Sequence, residues 1–443
     1  MLLLDTFATG VIQVTEFSNY PLGGVSIGVA QMNVEQKQFA SDAVPLPAYL
    51  PPETIKVTEW DEVIEALRSP HLLQEPPAVK AVHGGGLGFI NGTEHRNRRR
   101  ALNALVRPEP LQRYREEIVQ PTVDKVMREV LVSEAPGLPF RADLVALLQK
   151  VFLAFAAEII GLQGIDTTAG RDDLQRVFRP LPMAHHVRFM KDGKEAAIEA
   201  ALQAKAEYVE RFVKPSLEAV RAHLAEHGGK EGELHSSVIT LVAELADPAW
   251  ENSDYAIADA IAFLIGAVDT STHLVTHTVD ELTRWFAAHP DEANLRGDLD
   301  FLNAAMEETL RLRTSPPVLG RIAAEDLTLA NGKEIKQGQP VAIFHATANR
   351  DHSVFGADAD EFNPRRQPLR NVAGYGAAFG GGSHLCIGLR VVVGDGNSTG
   401  SHARVLKALF EAGIQPDPDS PPTRLDGEMA KFFSYPVLFT EWR

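Results

Sequence analysis

Phe379-Gly380-Gly381-Gly382-Ser383-His384-Leu385-Cys386-Ile387-Gly388 is the most glycine-dense stretch of this 443-residue chain, and it contains the only cysteine. A single thiol cannot form an internal disulfide, and a cysteine that serves as a small core hydrophobe is normally surrounded by side chains. Glycines instead bring backbone close to the sulfur, so that several N–H groups can point at it and hold it as thiolate. The stretch therefore predicts a sulfur that is a metal ligand or a nucleophile.

The two interpretations need different neighbours. A nucleophilic cysteine needs a base beside it, and His384 is the only local candidate, so a cysteine hydrolase stays open at this point. The spacing of Phe379, Gly382, Cys386 and Gly388, however, resembles the haem-binding loop of the cytochrome P450 family. That resemblance implies haem b as the cofactor, with Cys386 as the ligand of its iron.

Composition and charge agree with a large soluble enzyme. The formal net charge of -16 and the pI near 5.4 argue against a nucleic-acid-binding protein, which needs a basic face. No Ser/Gly linker, repeat or low-complexity tract divides the chain, so we expect residues 1–443 to form one domain without a fused reductase. The start, Met1 to Asp5, is too short to span a bilayer and lacks a charged signal region, so we expect a cytoplasmic protein that is not bound to a membrane.

The chain reads as mainly helical. Proline-poor stretches of good helix formers lie at about 115–133, 143–162, 193–226 and 254–289, whereas strand signals lie at 28–60 and 318–345. Together with the resemblance, this pattern predicts the mainly α cytochrome P450 fold, a large helical unit with a long central distal helix and a smaller β-rich region.

The longest predicted helix runs from Asp254 to His289, with Asn252 or Ser253 as its N-cap. Its middle is apolar until it reaches Asp269-Thr270, and Gly266 precedes them by one turn on the same face. Taken alone, the pair could be a polar kink in which the Thr270 hydroxyl bonds to a carbonyl one turn earlier.

The same residues resemble the Gly-x-x-Asp-Thr pattern of the family's distal helix. The resemblance implies that Gly266 leaves room for dioxygen, while Asp269 and Thr270 deliver the protons that precede O–O cleavage. It also implies that the Cys386 thiolate pushes electron density toward that bond.

A charged network is predicted behind the cysteine loop. Glu308 and Arg311 are spaced i,i+3, which on a surface would be a weak local ion pair. Their position resembles the family's buried Glu-x-x-Arg pair, which a further arginine closes into a structural triad. Arg366 is the better candidate for that arginine, and Arg365 is the alternative.

An acidic protein must place cations locally to bind the two haem propionates. Four residues resemble the family's propionate partners, namely His95, Arg99, Arg321 and His384. The neighbouring arginines at 96, 98 and 100 are either a solvated helix face or a docking surface for an acidic electron donor. The chain has no flavin or dinucleotide fingerprint, so we expect electrons from a separate ferredoxin or flavodoxin with its NAD(P)H-dependent reductase.

One segment departs from the family pattern. After the cysteine loop, the run from Leu389 to Gly400 has three β-branched residues followed by three glycines and Asn-Ser-Thr. This composition predicts an interrupted helix on the proximal side, with helical pattern resuming near His402 to Ala412.

The resemblance implies a monooxygenase that hydroxylates a small, largely apolar organic substrate with O2. The alternatives are a peroxide-driven peroxygenase, which the Asp269-Thr270 pair disfavours, and a haem-binding carrier or sensor without turnover. Substrate contacts are expected in five segments: residues 73–93, Arg179 to Lys191, Ala262 to Thr270, Pro317 to Leu319, and Met429 to Phe433.

Overall fold

The computed structural model describes residues 50–132, 139–187, 190, 192–227, 234–244, 253–396, 398–424 and 431–441. Within these ranges, the α-helices are α1 (Trp60–Arg68), α2 (Lys80–His83), α3 (Gly92–Leu102), α4 (Pro108–Arg113), α5 (Val119–Val132), α6 (Leu144–Ile160), α7 (Thr168–Phe178), α8 (Met183–His186), α9 (Lys194–Tyr208), α10 (Lys214–Glu226), α11 (Val238–Glu244), α12 (Ser253–Ala288), α13 (Leu299–Leu312), α14 (His345–Ala348), α15 (His352–Phe355), α16 (Leu389–Val393) and α17 (Ser401–Glu411).

The described strands are short. They are β1 (Ile55–Val57), β2 (Leu72–Gln74), β3 (Phe140–Asp143), β4 (Leu319–Ala323), β5 (Leu327–Thr328), β6 (Glu334–Ile335), β7 (Pro340–Ile343), β8 (Ile414–Pro416), β9 (Thr423–Arg424), β10 (Phe432–Ser434) and β11 (Pro436–Phe439). Short 3-10 helices span Asn103–Val106, Pro290–Gly297 and Gly382–His384, and π-helical turns span Tyr114–Ile118 and Val209–Val213. The mainly helical architecture predicted from the sequence is confirmed.

The central helix α12 is 36 residues long, which at 1.5 Å per residue is enough to cross the whole domain. Its observed bounds differ by one residue at each end from the prediction of 254–289. It packs along α6, in which most side chains are buried. By length and composition, α12 could also span a membrane, but 61% of its most apolar window is buried inside the protein, as in the core helix of a globular domain.

The strands form four small sheets. The largest has the order β1-β7-β4-β2, in which only β1 and β7 are parallel. A second sheet has the order β3-β11-β8, and the pairs β9-β10 and β5-β6 complete the set within the described residues. The strand signals at 318–345 are therefore confirmed by β4 to β7, whereas part of the 28–60 signal lies outside the described residues.

Two hydrophobic clusters organise the interior. The larger lies among the helices around α12 and α6, and the smaller lies between α1 and the four-stranded sheet. The cysteine loop packs against the smaller cluster through α1, while α12 belongs to the larger. The candidate site therefore draws residues from both parts of the molecule.

The predicted interruption of the proximal helix is present. Helix α16 ends at Val393, and Gly394 follows it with φ at 93°, a left-handed conformation that favours glycine. Gly394 forms a β-bridge with Thr399, and a Cβ on Gly400 would lie 1.8 Å from the Val392 carbonyl oxygen. Helix α17 then begins at Ser401, close to the predicted restart.

Candidate active site

Backbone amides surround the Cys386 sulfur. Burial raises the pKa of the thiol, and the backbone N–H groups of Gly388 and Leu389 together with the charge of Arg99 act in the opposite direction. Cys386 is nevertheless exposed. An exposed cysteine with backbone N–H donors directed at its sulfur is the arrangement expected of a ligand rather than of a core side chain.

Glycines allow the loop to lie against α1. Gly380 and Gly382 have φ of 70° and 62°, in the left-handed region. A Cβ on Gly382 would lie 2.8 Å from the carbonyl oxygen of Leu67 and 3.0 Å from the Cα of Arg68. A side chain at this position would therefore push the cysteine loop away from the helix that supports it.

Basic side chains converge on the same loop. Arg99 donates a hydrogen bond of 2.6 Å from Nη1 to the carbonyl oxygen of Leu385, and the rings of His95 and His384 lie 4.0 Å apart. Burial, the His95 ring and the charges of Arg321 and Arg99 lower the pKa of His384 to about 3. The charges of Arg99 and Arg321, with two neutral imidazole rings beside them, favour an anion near the loop.

Arg321, on β4 of the four-stranded sheet, is also buried. Its residue is 5% exposed, and burial lowers its pKa to about 10, which nearby Glu75 partly opposes. Arg321 Nη1 donates a hydrogen bond to the carbonyl oxygen of Gly320, at 2.8 Å. A buried guanidinium is well suited to receive a carboxylate.

The acid, the alcohol and the glycine of α12 lie together. The Thr270 hydroxyl donates to the Gly266 carbonyl oxygen at 2.6 Å, which is the back-bond considered from the sequence. Gly266 is exposed although it lies in the middle of the central helix, and a Cβ placed on it would meet nothing within 4 Å. Asp269 Oδ2 pairs with Lys431 Nζ at 2.5 Å.

The groups of this site can be compared with what haem b requires. The residues present offer a sulfur donor with amides directed at it, a cationic cluster for the two propionates, and an unfilled opening on the central helix. The donor set therefore fits the cofactor.

The Glu308 carboxylate receives two arginines. Arg311 donates to both of its oxygens at 2.7 Å, and Arg366 Nε donates to Oε1 at 2.9 Å. Arg366, rather than Arg365, is therefore the second arginine on this carboxylate; Arg365 contacts Glu292 at 2.9 Å. Arg311 also donates to the backbone carbonyls of Asn349 and Ala359, so the buried network ties α13 to the segment before the cysteine loop.

Arg98 belongs to the basic run of α3, but it lies neither on a solvated face nor on a docking surface. Arg98 is fully buried and pairs with Asp259 of α12 at 2.6 Å, whereas Arg96 and Arg100 are exposed. Asp259 also accepts from the backbone N–H of Leu87 at 2.9 Å. The sequence signal that could have revealed this pair is Asp259 itself, an acid in an apolar helical stretch. A carboxylate buried there needs a cation as its partner.

Part of the expected substrate region is described. His83 of α2 and His185 of α8 stack with ring centroids 3.8 Å apart, and Phe89 lies beside His185 at 5.6 Å. Burial and the nearby His185 and Lys205 lower the pKa of His83 to about 3. Residues 188, 189, 191 and 425–430 of the expected contact segments lie outside the described residues.

Comparison with known proteins agrees with this geometry. The family model "Cytochrome P450" matches residues 258–391, from the central helix through the cysteine loop. The steroid C26-monooxygenase of Mycolicibacterium smegmatis is 26% identical over 75% of each chain, and cytochrome P450 NovI of Streptomyces niveus is 37% identical over 30% of each.

Solved structures share the fold. The testosterone complex of CYP109E1 from Bacillus megaterium has a TM-score of 0.66 at 19% identity, covering 88% of this chain and 93% of that one. Ligand-free cytochrome P450 TbtJ1 has a TM-score of 0.64 at 22% identity, covering 86% and 90%.

Fold and relatives together define a haem-dependent oxidoreductase of the monooxygenase class. The chain belongs to the cytochrome P450 family. It is a P450 monooxygenase with haem b as its cofactor.

Proposed function

We propose that this enzyme hydroxylates a small, largely apolar organic substrate, using O2 and two electrons from a separate redox partner. The observation that carries the proposal is the exposed Cys386, whose sulfur receives backbone N–H groups and lies near the cationic cluster. That cluster consists of the cationic Arg99 and Arg321, with the neutral rings of His95 and His384 beside them.

When bound, haem supplies the redox-active iron that activates dioxygen. Cys386 would hold it through sulfur, with Phe379, Gly382 and Gly388 shaping the loop, and the cationic cluster would hold its carboxylates. Gly266 leaves an open position on the central helix, next to the acid-alcohol pair. Asp269 and Thr270 hold and pass protons at that opening, because a carboxylate beside a hydroxyl can order water between solvent and the site.

The substrate class is proposed from apolar surroundings and from relatives. Ala262, Phe263 and Ala267 are partly exposed on the central helix near Gly266, and they offer no charge. Two relatives are named as a steroid C26-monooxygenase and a C-19 steroid 1alpha-hydroxylase, and another as a linalool 8-monooxygenase. Steroids and terpene alcohols are therefore the first compounds to test.

The electron donor is proposed to be a ferredoxin or flavodoxin with its NAD(P)H-dependent reductase. Exposed Arg96 and Arg100 of α3 lie on the helix that also reaches the cysteine loop through Arg99. In a chain of net charge -16, these arginines would steer an acidic donor to that face. We further propose that residues 1–443 form one catalytic domain and that the protein acts in the cytoplasm.

The test combines spectra with turnover. The purified protein should bind haem, and its reduced carbon monoxide complex should show the red-shifted Soret band of thiolate ligation. Cys386→Ser should lose that band, whereas Ser383→Ala, on the same loop and exposed, should keep it. A globin-like band in the wild type would overturn the assignment of the ligand.

Turnover separates the alternatives. Steroids and terpenes are screened for a low-to-high-spin shift of the ferric protein, and compounds that give it are incubated with NADH and a surrogate ferredoxin system. Hydroxylated product that depends on NADH and O2 supports the proposal. Product formed with hydrogen peroxide alone would favour the peroxygenase, and ligand binding without NADH consumption would favour the carrier or sensor.

A further inference from the structure

A lysine from the C-terminal region pairs with the acid of the central helix. Lys431 Nζ lies 2.5 Å from Asp269 Oδ2, although the two residues are 162 positions apart in sequence. The Lys431 side chain is 5% exposed and that of Asp269 is 27% exposed. A buried ammonium is stable only when it is paired, so each side chain fixes the position of the other.

The pair leaves the acid accessible. The contact with Lys431 uses one carboxylate oxygen, and the Asp269 side chain still reaches solvent. The neighbouring Thr270 hydroxyl is held on the Gly266 carbonyl oxygen, at the unfilled opening. The lysine thus orients the carboxylate from the side without closing the route between solvent and Thr270.

The residues that follow Lys431 pack against α12. It immediately precedes β10, where the Phe432 ring packs 4.8 Å from the His277 ring of α12. Tyr435 directly follows the strand, and its hydroxyl donates to Asp280 Oδ1 at 3.1 Å. Because both anchors belong to α12, the segment from Lys431 to Tyr435 is packed against that helix, and the ammonium is held beside Asp269.

We propose that Lys431 is a positioning residue for proton delivery by Asp269. The proposal rests on the proposed function, in which Asp269 passes protons to the opening. Lys431 keeps the carboxylate oriented, so that it takes a proton from solvent and passes it on beside Thr270. Without the lysine, the carboxylate reorients and protons reach reduced oxygen less reliably.

Oxygen consumption without added organic substrate reports this step. One O2 with two electrons and two protons gives hydrogen peroxide, whereas one O2 with four electrons and four protons gives two waters. NADH is the reductant, delivered through a surrogate ferredoxin system. The share of NADH electrons recovered as hydrogen peroxide rises when proton delivery is impaired.

The experiment measures NADH, O2 and hydrogen peroxide for the haem-loaded protein. Lys431→Met should raise the peroxide share about twofold or more, and Asp269→Asn should raise it similarly. The double variant should add nothing further, because both changes remove the same function. Lys431→Arg should restore the wild-type share, since it keeps a cation on Asp269.

A matched control breaks another lysine pair. Lys333 contacts the buried Glu62 at 2.6 Å beside the four-stranded sheet, away from α12. Lys333→Met should therefore lower stability without changing the peroxide share. If Lys431→Met does not fold, Lys431→Gln, which keeps a polar end of similar length, is measured in its place.

Thermal unfolding of the same variants provides a readout that does not need turnover. Lys431→Met and Asp269→Asn should each lower the Tm by about 5 °C, and their effects should not add. The two changes in Tm could fail to add while Lys431→Met keeps the wild-type peroxide share. The pair would then be structural only, and the proposal would be overturned. A wild type that consumes no NADH would instead overturn the proposed function itself.

Discussion

The ion pair between Arg98 and Asp259 is 2.6 Å long, and neither side chain is exposed. It joins α3, which reaches the cysteine loop, to the central helix α12. Asp259 also accepts from the Leu87 amide, and Arg98 donates to the Gly85 carbonyl oxygen at 2.6 Å. One buried pair therefore connects the cofactor side of the enzyme, the central helix and the loop expected to contact substrate.

Arg98→Met should destabilise the protein by about 3–5 kcal/mol, because it leaves Asp259 buried without its partner. Replacing both residues, Arg98→Met with Asp259→Leu, should recover most of the loss. Urea unfolding measures the change. Arg96→Met, exposed on the same helix, should stay within about 0.5 kcal/mol of the wild type. Equal stability of the two single variants would contradict the account of the pair.

Glu308→Gln should cost about 3–5 kcal/mol of unfolding free energy, since two buried guanidinium groups lose their shared carboxylate. The neighbouring Glu307→Gln is the control: burial raises the pKa of Glu307, and its contact is the neutral side chain of Asn303. Its effect should be much smaller. Thermal unfolding compares the two, and a reversed order would refute the structural role of the triad.

Arg321→Met should weaken the hold on haem. A hydrogen bond to a charged group contributes about 1.5–3 kcal/mol, so haem should leave roughly 10- to 100-fold faster. Transfer to an excess of apomyoglobin measures the rate. Arg100→Met removes an exposed arginine and should leave the rate unchanged. Identical rates for Arg321→Met and the wild type would exclude Arg321 as a propionate partner.

Thr270→Val keeps the shape of the side chain but removes the hydroxyl that bonds to Gly266. NADH oxidation should continue, while product formation should fall roughly 100-fold as hydrogen peroxide takes its place. Product and peroxide are quantified per NADH with any compound found in the spin-shift screen. Thr276→Val is the control, because Thr276 makes the same back-bond on α12 but is fully buried. Undiminished product per NADH would exclude the hydroxyl from proton delivery.

His402 should make the protein sensitive to acid. Its Nε2 lies 2.7 Å from Ser271 Oγ, and burial lowers its pKa from the ordinary 6.5 to about 3. Between these values the unfolded chain binds a proton that the folded protein does not, so stability is full above pH 6.5 and falls as pH decreases.

The contribution of one such histidine is about 1.4 kcal/mol per pH unit. His402→Phe should flatten the dependence of unfolding free energy on pH by about that amount between roughly pH 6 and 4.5. His71→Phe changes an exposed histidine and serves as the control. Parallel pH curves for wild type and His402→Phe would show that this histidine does not carry the sensitivity.

Local patterns were readable from the sequence. Proline-free length set the bounds of α12 to within one residue, and β-branched residues followed by glycines marked the end of α16. The cysteine loop was readable because its run of glycines permits a tight turn, with positive φ at Gly380 and Gly382. Each of these features depends on the residues of one segment and its backbone preferences.

Long-range pairs were not readable in the same way. The exposed arginines of α3 and the buried Arg98 have the same chemistry, and helical periodicity alone did not tell them apart. Lys431 and Asp269 lie in segments with no pattern in common. Arg365 and Arg366 were adjacent candidates for Glu308, and only the direction of each side chain in the folded loop separated them.

By itself, the sequence determined the helical class, the glycine-rich cysteine loop and the acid-alcohol pair, because spacing along one element fixes which residues share a turn or a face. Only the tertiary structure decided which charges are buried against each other, namely Arg98 with Asp259, Arg366 with Glu308 and Lys431 with Asp269. The physical reason is that desolvation, which makes such a pair matter, depends on what the rest of the chain packs around it.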